Sequence, residues 1–148
     1  MLRAVSEDVA EPSAATESAG RILVVDDEPQ LLRLMARVLA RDAYEIQEAL
    51  DGTIALGLAG TAPPVLAIID LSIPPEGGAA FMRELATSLP DVRIVLTSGA
   101  DLDADLYADL VQLGGSFLRK PFAPRTLSEM VKRTLAGESH PDGLNGSG

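Results

Sequence analysis

Four short groups of residues in this chain carry the types needed for joint chemistry: Asp26-Asp27-Glu28, Asp70, Thr97-Ser98 and Lys120. Carboxylates brought close together repel, and each raises its neighbours' pKa. A protein keeps such a cluster ionised mainly by binding a cation, and hard oxygen ligands with positions left open for water and phosphate suit Mg2+. The chain has no cysteine, and its one histidine, His140, lies far along the sequence, so nothing points to zinc. A carboxylate such as Asp70 can attack phosphorus to give an acyl phosphate. The transferred group then needs the charge on its three equatorial oxygens neutralised. Mg2+ can take one oxygen, the Lys120 ammonium a second, and a hydroxyl of Thr97 or Ser98, with backbone N–H groups, the third. The chain holds ten Arg and two Lys, so a Lys at 120 runs against its usual habit.

For these groups to meet, the elements carrying them must converge. Arg21–Val25 (RILVV) and Val65–Leu71 (VLAIIDL) are continuous apolar runs, as expected of strands buried on both faces. Asp26 follows the first, and Asp70 sits near the end of the second. After Pro29, Leu31, Leu34, Met35, Val38 and Leu39 recur at the spacing of one helix face, and Pro29 suits a first helical turn. Tyr44–Ala49 reads as a weaker strand, Asp51–Gly60 as a short helix and Ala79–Leu89 as a helix. Val92–Ser98 then reads as a strand, Asp101–Leu113 as a helix with Asp101 as its N-cap, Ser116–Arg119 as a strand and Pro124–Ala136 as the last helix. Five βα units with doubly apolar strands predict a parallel sheet with helices on both faces. Sites in such sheets form outside the carboxyl ends of the strands, and there all four groups stand. Singly, each has a plain structural reading: an acidic pair before a helix is a capping pair, Lys-Pro a turn, and Gly77-Gly78 a loop.

The chain has 148 residues, enough for one domain, with 47% apolar but only 3% aromatic residues, so its core rests on Leu, Ile, Val and Ala. The formal net charge of −10 argues against a nucleic-acid or anionic-membrane surface, both of which need clustered Lys and Arg. Residues 1–20 hold four acids and one base and residues 137–148 two acids and no base, which leaves the stretch 21–136 at −5. Both ends are rich in small and polar residues and are expected to be disordered. No apolar run approaches the roughly 18 residues of a membrane span, and the N-terminus lacks the apolar stretch of a secretory signal. A soluble, cytoplasmic protein is expected.

Together the runs RILVVDDEPQLL, VLAIIDLSIPPEGG, IVLTSGA and FLRKPF resemble a response-regulator receiver domain of two-component signalling, over residues 21–136. The resemblance implies an α/β, flavodoxin-like (βα)5 doubly wound sandwich around a five-stranded parallel sheet. It implies that Asp26 and Asp27 form the acidic pair that, with Asp70, holds Mg2+; that Asp70 is the phosphoacceptor; and that Lys120 contacts the phosphoryl group. The bond from Lys120 to Pro121 is commonly cis in the family. The switch hydroxyl lies 22 positions before the lysine and is followed by a small residue, which selects Ser98 with Gly99 after it; Thr97 is one position off and faces the other side of the strand. Phe117 matches the aromatic that turns inward when that hydroxyl is drawn to the phosphate. Ile73-Pro74 replaces the usual Met-Pro, and Gly77 stands where an acid often precedes the loop glycine.

By the same resemblance, the phosphoryl donor is a histidine kinase or a histidine phosphotransfer protein. The signal is read out by an unknown downstream protein on the face of helix 4, strand 5 and helix 5, which also offers a surface for a homodimer. The chain would be a signalling phosphoacceptor rather than an enzyme, stand-alone or the receiver portion of a hybrid kinase, acting by partner binding or within a phosphorelay. Two other classes fit these residues less well. An Asp-based phosphohydrolase usually has an acid two residues after its nucleophile, where this chain has Ser72. A flavodoxin-like small-molecule binder would want a Gly/Ser/Thr-rich loop after strand 1, where Asp26-Asp27-Glu28 would repel a phosphate.

Overall fold

A computed structural model describes residues 18–143. Strands and helices alternate along them: β1 (Arg21–Val25), α1 (Pro29–Arg41), β2 (Glu45–Ala49), α2 (Gly52–Thr61), β3 (Leu66–Asp70), α3 (Gly78–Ser88), β4 (Arg93–Ser98), α4 (Ala104–Gln112), β5 (Ser116–Arg119) and α5 (Pro124–Leu135). The strands form one parallel sheet in the order β2-β1-β3-β4-β5.

The apolar runs behave as a sheet covered on both faces requires. Ile22, Val24, Leu66, Ile68, Val95 and Leu118 pack against Leu32, Met35 and Leu39 of α1 and Leu127, Met130 and Val131 of α5. The intervening positions Leu23, Val25, Ala67, Ile69, Ile94 and Leu96 pack against α2, α3 and α4 through Ala55, Phe81, Met82, Leu85, Leu106 and Leu110. This is the parallel sheet covered on both faces that the pattern predicts, and the doubly wound flavodoxin-like sandwich that the resemblance implies. Pro29 and Pro124 stand in the first turns of α1 and α5, where a missing N–H removes no intrahelical bond. Asp51 caps α2 by accepting from Ile54 N at 2.8 Å. The chain leaves β1 toward β2 on one side, and β3 continues toward β5 on the other, so a crevice opens at the carboxyl ends of β1 and β3.

Two expectations need correction. The fourth helix begins at Ala104 rather than Asp101, because Asp103 is its N-cap and accepts from Leu106 N at 2.8 Å; Asp101 instead pairs with Arg119. The stretch after α5, expected to be a structureless tail from residue 137, is held against the edge of β5 over residues 137–143 by hydrogen bonds that include Phe117 N to His140 O. At the other end, Ala19 N donates to Ala43 O and Gly20 O accepts from Glu45 N, so residues 19–20 already lie beside the start of β2. Residues 1–17 and 144–148, the rest of the two segments expected to be disordered, lie outside the described residues.

Candidate functional site

Asp26 is the residue after β1, and its N–H donates to Ala49 O at 3.1 Å, which ties the loop to the end of β2. Its side chain is fully buried. Oδ1 accepts from Glu28 N at 2.9 Å and Oδ2 accepts from Lys120 Nζ at 2.9 Å. Asp27 points out of the sheet end and is exposed. Asp70, the last residue of β3, is 3% exposed. Its Oδ1 lies 2.8 Å from Lys120 Nζ and 3.3 Å from Thr97 Oγ1, which donates to it. Its Oδ2 accepts from Ser72 N at 3.2 Å and from Ser72 Oγ. Lys120 follows β5, donates its backbone N–H to Ser98 O at 2.8 Å, and reaches across β4 to the two carboxylates. The bond from Lys120 to Pro121 is cis.

Burial pushes the Asp70 carboxyl upward, but the hydrogen bond and charge of Lys120 and the two bonds from Ser72 outweigh it and leave its pKa below the ordinary value. Asp26 goes the other way. Its burial is deeper, and the Lys120 and Glu28 bonds do not offset it, so its pKa is raised, with the Asp70 charge adding to the rise. Burial would lower the Lys120 ammonium, yet hydrogen bonds to Asp70 and Asp26 dominate and raise it. One lysine thus bridges two carboxylates of different character: Asp70 is ionised at neutral pH, and Asp26 resists ionisation.

Asp26, Asp27 and Asp70 each present a carboxylate oxygen within 4.8 Å of the others. That all-oxygen set suits a hard divalent cation such as Mg2+. The raised pKa of Asp26 fits as well, since a cation would supply the positive charge that one ammonium does not. The fold brings Asp26, Asp27, Asp70 and Lys120 together at the crevice.

The hydroxyls divide differently. Thr97 is fully buried, is in register with Asp70 and is the one bonded to it. Ser98 is half-buried, and its Oγ accepts from Ala100 N at 3.0 Å. Phe117, in register with Leu96, is 5% exposed and lies in the core beside Leu106 and Leu110.

Two features of the site were not legible as such. Ser72 entered the sequence reading only as the place where a phosphohydrolase has an acid, yet it donates twice to Asp70. Gly78 was read as loop, yet a Cβ there would stand 2.4 Å from Asp70 O and 2.8 Å from Leu71 Cα, so only a glycine lets α3 start this close to the residue it follows. The doublet Gly77-Gly78 was the available signal, with Gly77 supplying the left-handed turn at φ +93°.

Similarity to known proteins agrees with this geometry. The profile of the response regulator receiver domain family matches residues 22–132. The alkaline phosphatase synthesis transcriptional regulatory protein PhoP of Bacillus subtilis (strain 168) is 31% identical over 115 residues, covering 78% of this chain and 48% of PhoP. The chain thus spans about half the length of the curated relatives it matches. Among solved structures, the receiver domain of NtrX from Brucella abortus superposes with a TM-score of 0.69 at 28% identity, over 78% of this chain and 98% of that one. A CheY-like response regulator receiver domain protein from Methanospirillum hungatei JF-1 shares the fold, with a TM-score of 0.74 at 24% identity over 80% of this chain and 95% of that one. With five parallel strands, an acidic crevice closed by a lysine, and a profile match across that whole unit, this chain belongs to the response regulator receiver domain family.

Proposed function

We propose that Asp70 is the phosphoacceptor of this receiver domain and takes a phosphoryl group from a phosphohistidine donor, a histidine kinase or a histidine phosphotransfer protein. The observation that carries the reading is the bridged pair: an ionised Asp70 at a strand end, with Lys120 Nζ 2.8 Å from its Oδ1 and two further carboxylates beside it. In the transfer, a carboxylate oxygen of Asp70 attacks phosphorus, the bond from phosphorus to the donor nitrogen breaks, and the electron pair leaves with the donor imidazole. Ser72 and Thr97 hold the carboxylate in place through its two oxygens, and Lys120 is positioned to meet a phosphoryl oxygen as the new bond forms. Asp26, Asp27 and Asp70 would hold Mg2+, which when bound neutralises phosphoryl charge and relieves the repulsion among the three acids.

The added charge of about −1.5 to −2 would draw a hydroxyl at the end of β4 toward the site. The family spacing selects Ser98, with Phe117 as the aromatic that responds, and the α4–β5–α5 face as the surface a partner reads. Ser98 would first have to release Ala100 N, whereas Thr97 is already bonded to Asp70; Ser98→Ala and Thr97→Ala compared side by side separate their roles. On this reading the chain is a signalling module rather than a turnover enzyme, its receiver unit at residues 21–136 joined by the flanking residues 19–20 and 137–143 that pack on it. PhoP is named as a transcriptional regulator, but about half of it lies outside the match.

Intact-mass measurement after incubation with Mg2+ and acetyl phosphate tests the reading. A phosphoryl increment on the wild-type chain, absent from Asp70→Asn and from samples with excess chelator, is expected. No increment on the wild type, or an equal one on Asp70→Asn, overturns it.

A further inference from the structure

The stretch beyond α5 turns back along the outer edge of β5. Gly137, at φ +91°, ends the helix: its N–H donates to Thr134 O at 3.1 Å, and Glu138 N donates to Arg133 O at 2.9 Å. His140-Pro141-Asp142-Gly143 then makes a β-turn, closed by Gly143 N donating to His140 O at 3.0 Å. Pro at its second position and Asp and Gly after it are the residues such a turn favours.

This turn is fastened to β5 and α4. Phe117 N donates to His140 O at 2.9 Å, and His140 N donates to Ser116 Oγ at 3.0 Å. Ser116 Oγ in turn shares a buried 2.9 Å hydrogen bond with Thr134 Oγ1 of α5. Tyr107 Oη, on α4, donates to Asp142 Oδ1 at 2.8 Å. Gly143 lies on Phe117 itself: a Cβ at 143 would stand 3.2 Å from Phe117 Cδ2 and 3.3 Å from its carbonyl oxygen.

An edge strand offers unpaired backbone groups to any extended segment that reaches it. Here the segment on that edge is the chain's own, and it contacts the aromatic of the switch. Among the described residues no group bonds the buried His140 Nε2, an atom that solvent would satisfy on release.

We propose that Glu138–Gly143 is a displaceable strap: its turn, seated on the edge of β5 and on Tyr107, holds Phe117 in its resting seat and covers the surface a partner must reach. The proposal rests on the phosphoacceptor reading above, since it is the ligand at Asp70 that moves Phe117. Phe117 touches both the strap and the core beneath α4, so coupling between the crevice and the strap is reciprocal. A ligand at Asp70 loosens the strap, and loss of the strap tightens binding of that ligand.

The test is a titration with beryllofluoride in saturating Mg2+, followed by backbone amide resonances. It compares the full chain, a chain ending at Ala136, and full-length Gly143→Val, whose side chain would meet the Phe117 ring and whose β-branch disfavours the observed φ of +90°. Apparent affinity at least about fivefold tighter in both altered chains is expected. In the full chain, exchange of the Phe117 amide should speed up about tenfold on saturation. Should the shortened chain fail to fold, Gly143→Val alone carries the comparison. Affinities equal within about twofold overturn the proposal, as does a Phe117 amide that exchanges as fast in the resting full chain as in the altered ones. Absence of binding in every chain, seen as unmoved resonances at Asp70 and Lys120, overturns the phosphoacceptor reading and the strap's role with it. Binding at Asp70 with an unresponsive strap overturns the strap alone.

Discussion

The crevice at the ends of β1 and β3 and the edge of β5 are both finished by polar contacts, but of opposite kinds. In the crevice a fully buried Asp26, an almost buried Asp70 and a Lys120 whose side chain is 21% exposed form one charged unit. At the edge, backbone and hydroxyl bonds hold a turn whose outer bond, from Tyr107 to the Asp142 carboxylate, is exposed. Charge pairs out of water are rigid because losing one partner leaves the other uncompensated. Single hydrogen bonds open to solvent contribute little net and exchange readily with water. On the reading proposed above, the crevice is the fixed place where charge arrives and the strap is the less stable neighbour that responds to it.

The sharpest way to break the comparison is to remove the bridging cation. Lys120→Ala leaves Asp26 buried beside Asp70 with no counter-charge, and a loss of about 3–5 kcal/mol is expected in urea unfolding at neutral pH. The loss should shrink as pH falls and Asp26 takes up a proton. A loss below about 1 kcal/mol would show a solvent-screened pair and erase the contrast. Next comes Gly78→Ala, whose new methyl would press on the backbone of Asp70 and Leu71. Overpacking of this kind is expected to cost about 1–3 kcal/mol and to slow phosphoryl transfer as Asp70 is displaced, which thermal unfolding and the acetyl phosphate assay read separately.

Acid titration sharpens the crevice side further. Asp26 has a folded pKa raised above 3.8, so its contribution to stability is present at low pH and is lost as pH rises through the folded value. Asp70 is lowered below 3.8, so its contribution is present above that pH and is lost as pH falls through its folded value. Between neutrality and pH 3.8 the proton that Asp26 takes up therefore supports the fold on acidification. Asp26→Asn deletes that support, and its stability should fall more steeply over this window, by up to about 1.4 kcal/mol per pH unit. Unfolding curves at several pH values check it, and parallel curves for the two proteins would refute the opposed pKa shifts. The smallest effects belong to α4. Asp103→Ala removes the N-cap and should cost about 1 kcal/mol, whereas Asp101→Ala, breaking an exposed pair with Arg119, should change stability by less than about 0.5 kcal/mol.

Much of this was legible in the chain. β1 and β3 declared themselves as uninterrupted apolar runs, and a doubly covered parallel sheet follows from such strands, which in turn brings Asp26, Asp70 and Lys120 to one edge. α4 was misjudged at its start because Asp101 and Asp103 are equally good caps by residue type, and only the path of the β4–α4 loop, with Arg119 drawing Asp101 aside, makes Asp103 the cap. The His-Pro-Asp-Gly run is a turn signal, but a run of polar and glycine residues after the last helix reads as a tail until an edge strand is there to receive it.

By itself the sequence determined the alternation of elements, the family, and the set of charged residues at the strand ends, because apolar periodicity and residue type are local properties. Only the tertiary structure decided how those charges differ and what they touch. Asp26 and Asp70 are the same residue type, one held neutral more easily and the other ionised, because burial, one shared ammonium and the Ser72 bonds are distributed unequally between them. That Thr97 rather than Ser98 is bonded to Asp70 at rest, and that residues 137–143 lie on Phe117, follows from strand register and from which edge of the sheet is left open, quantities that exist only once the strands have paired.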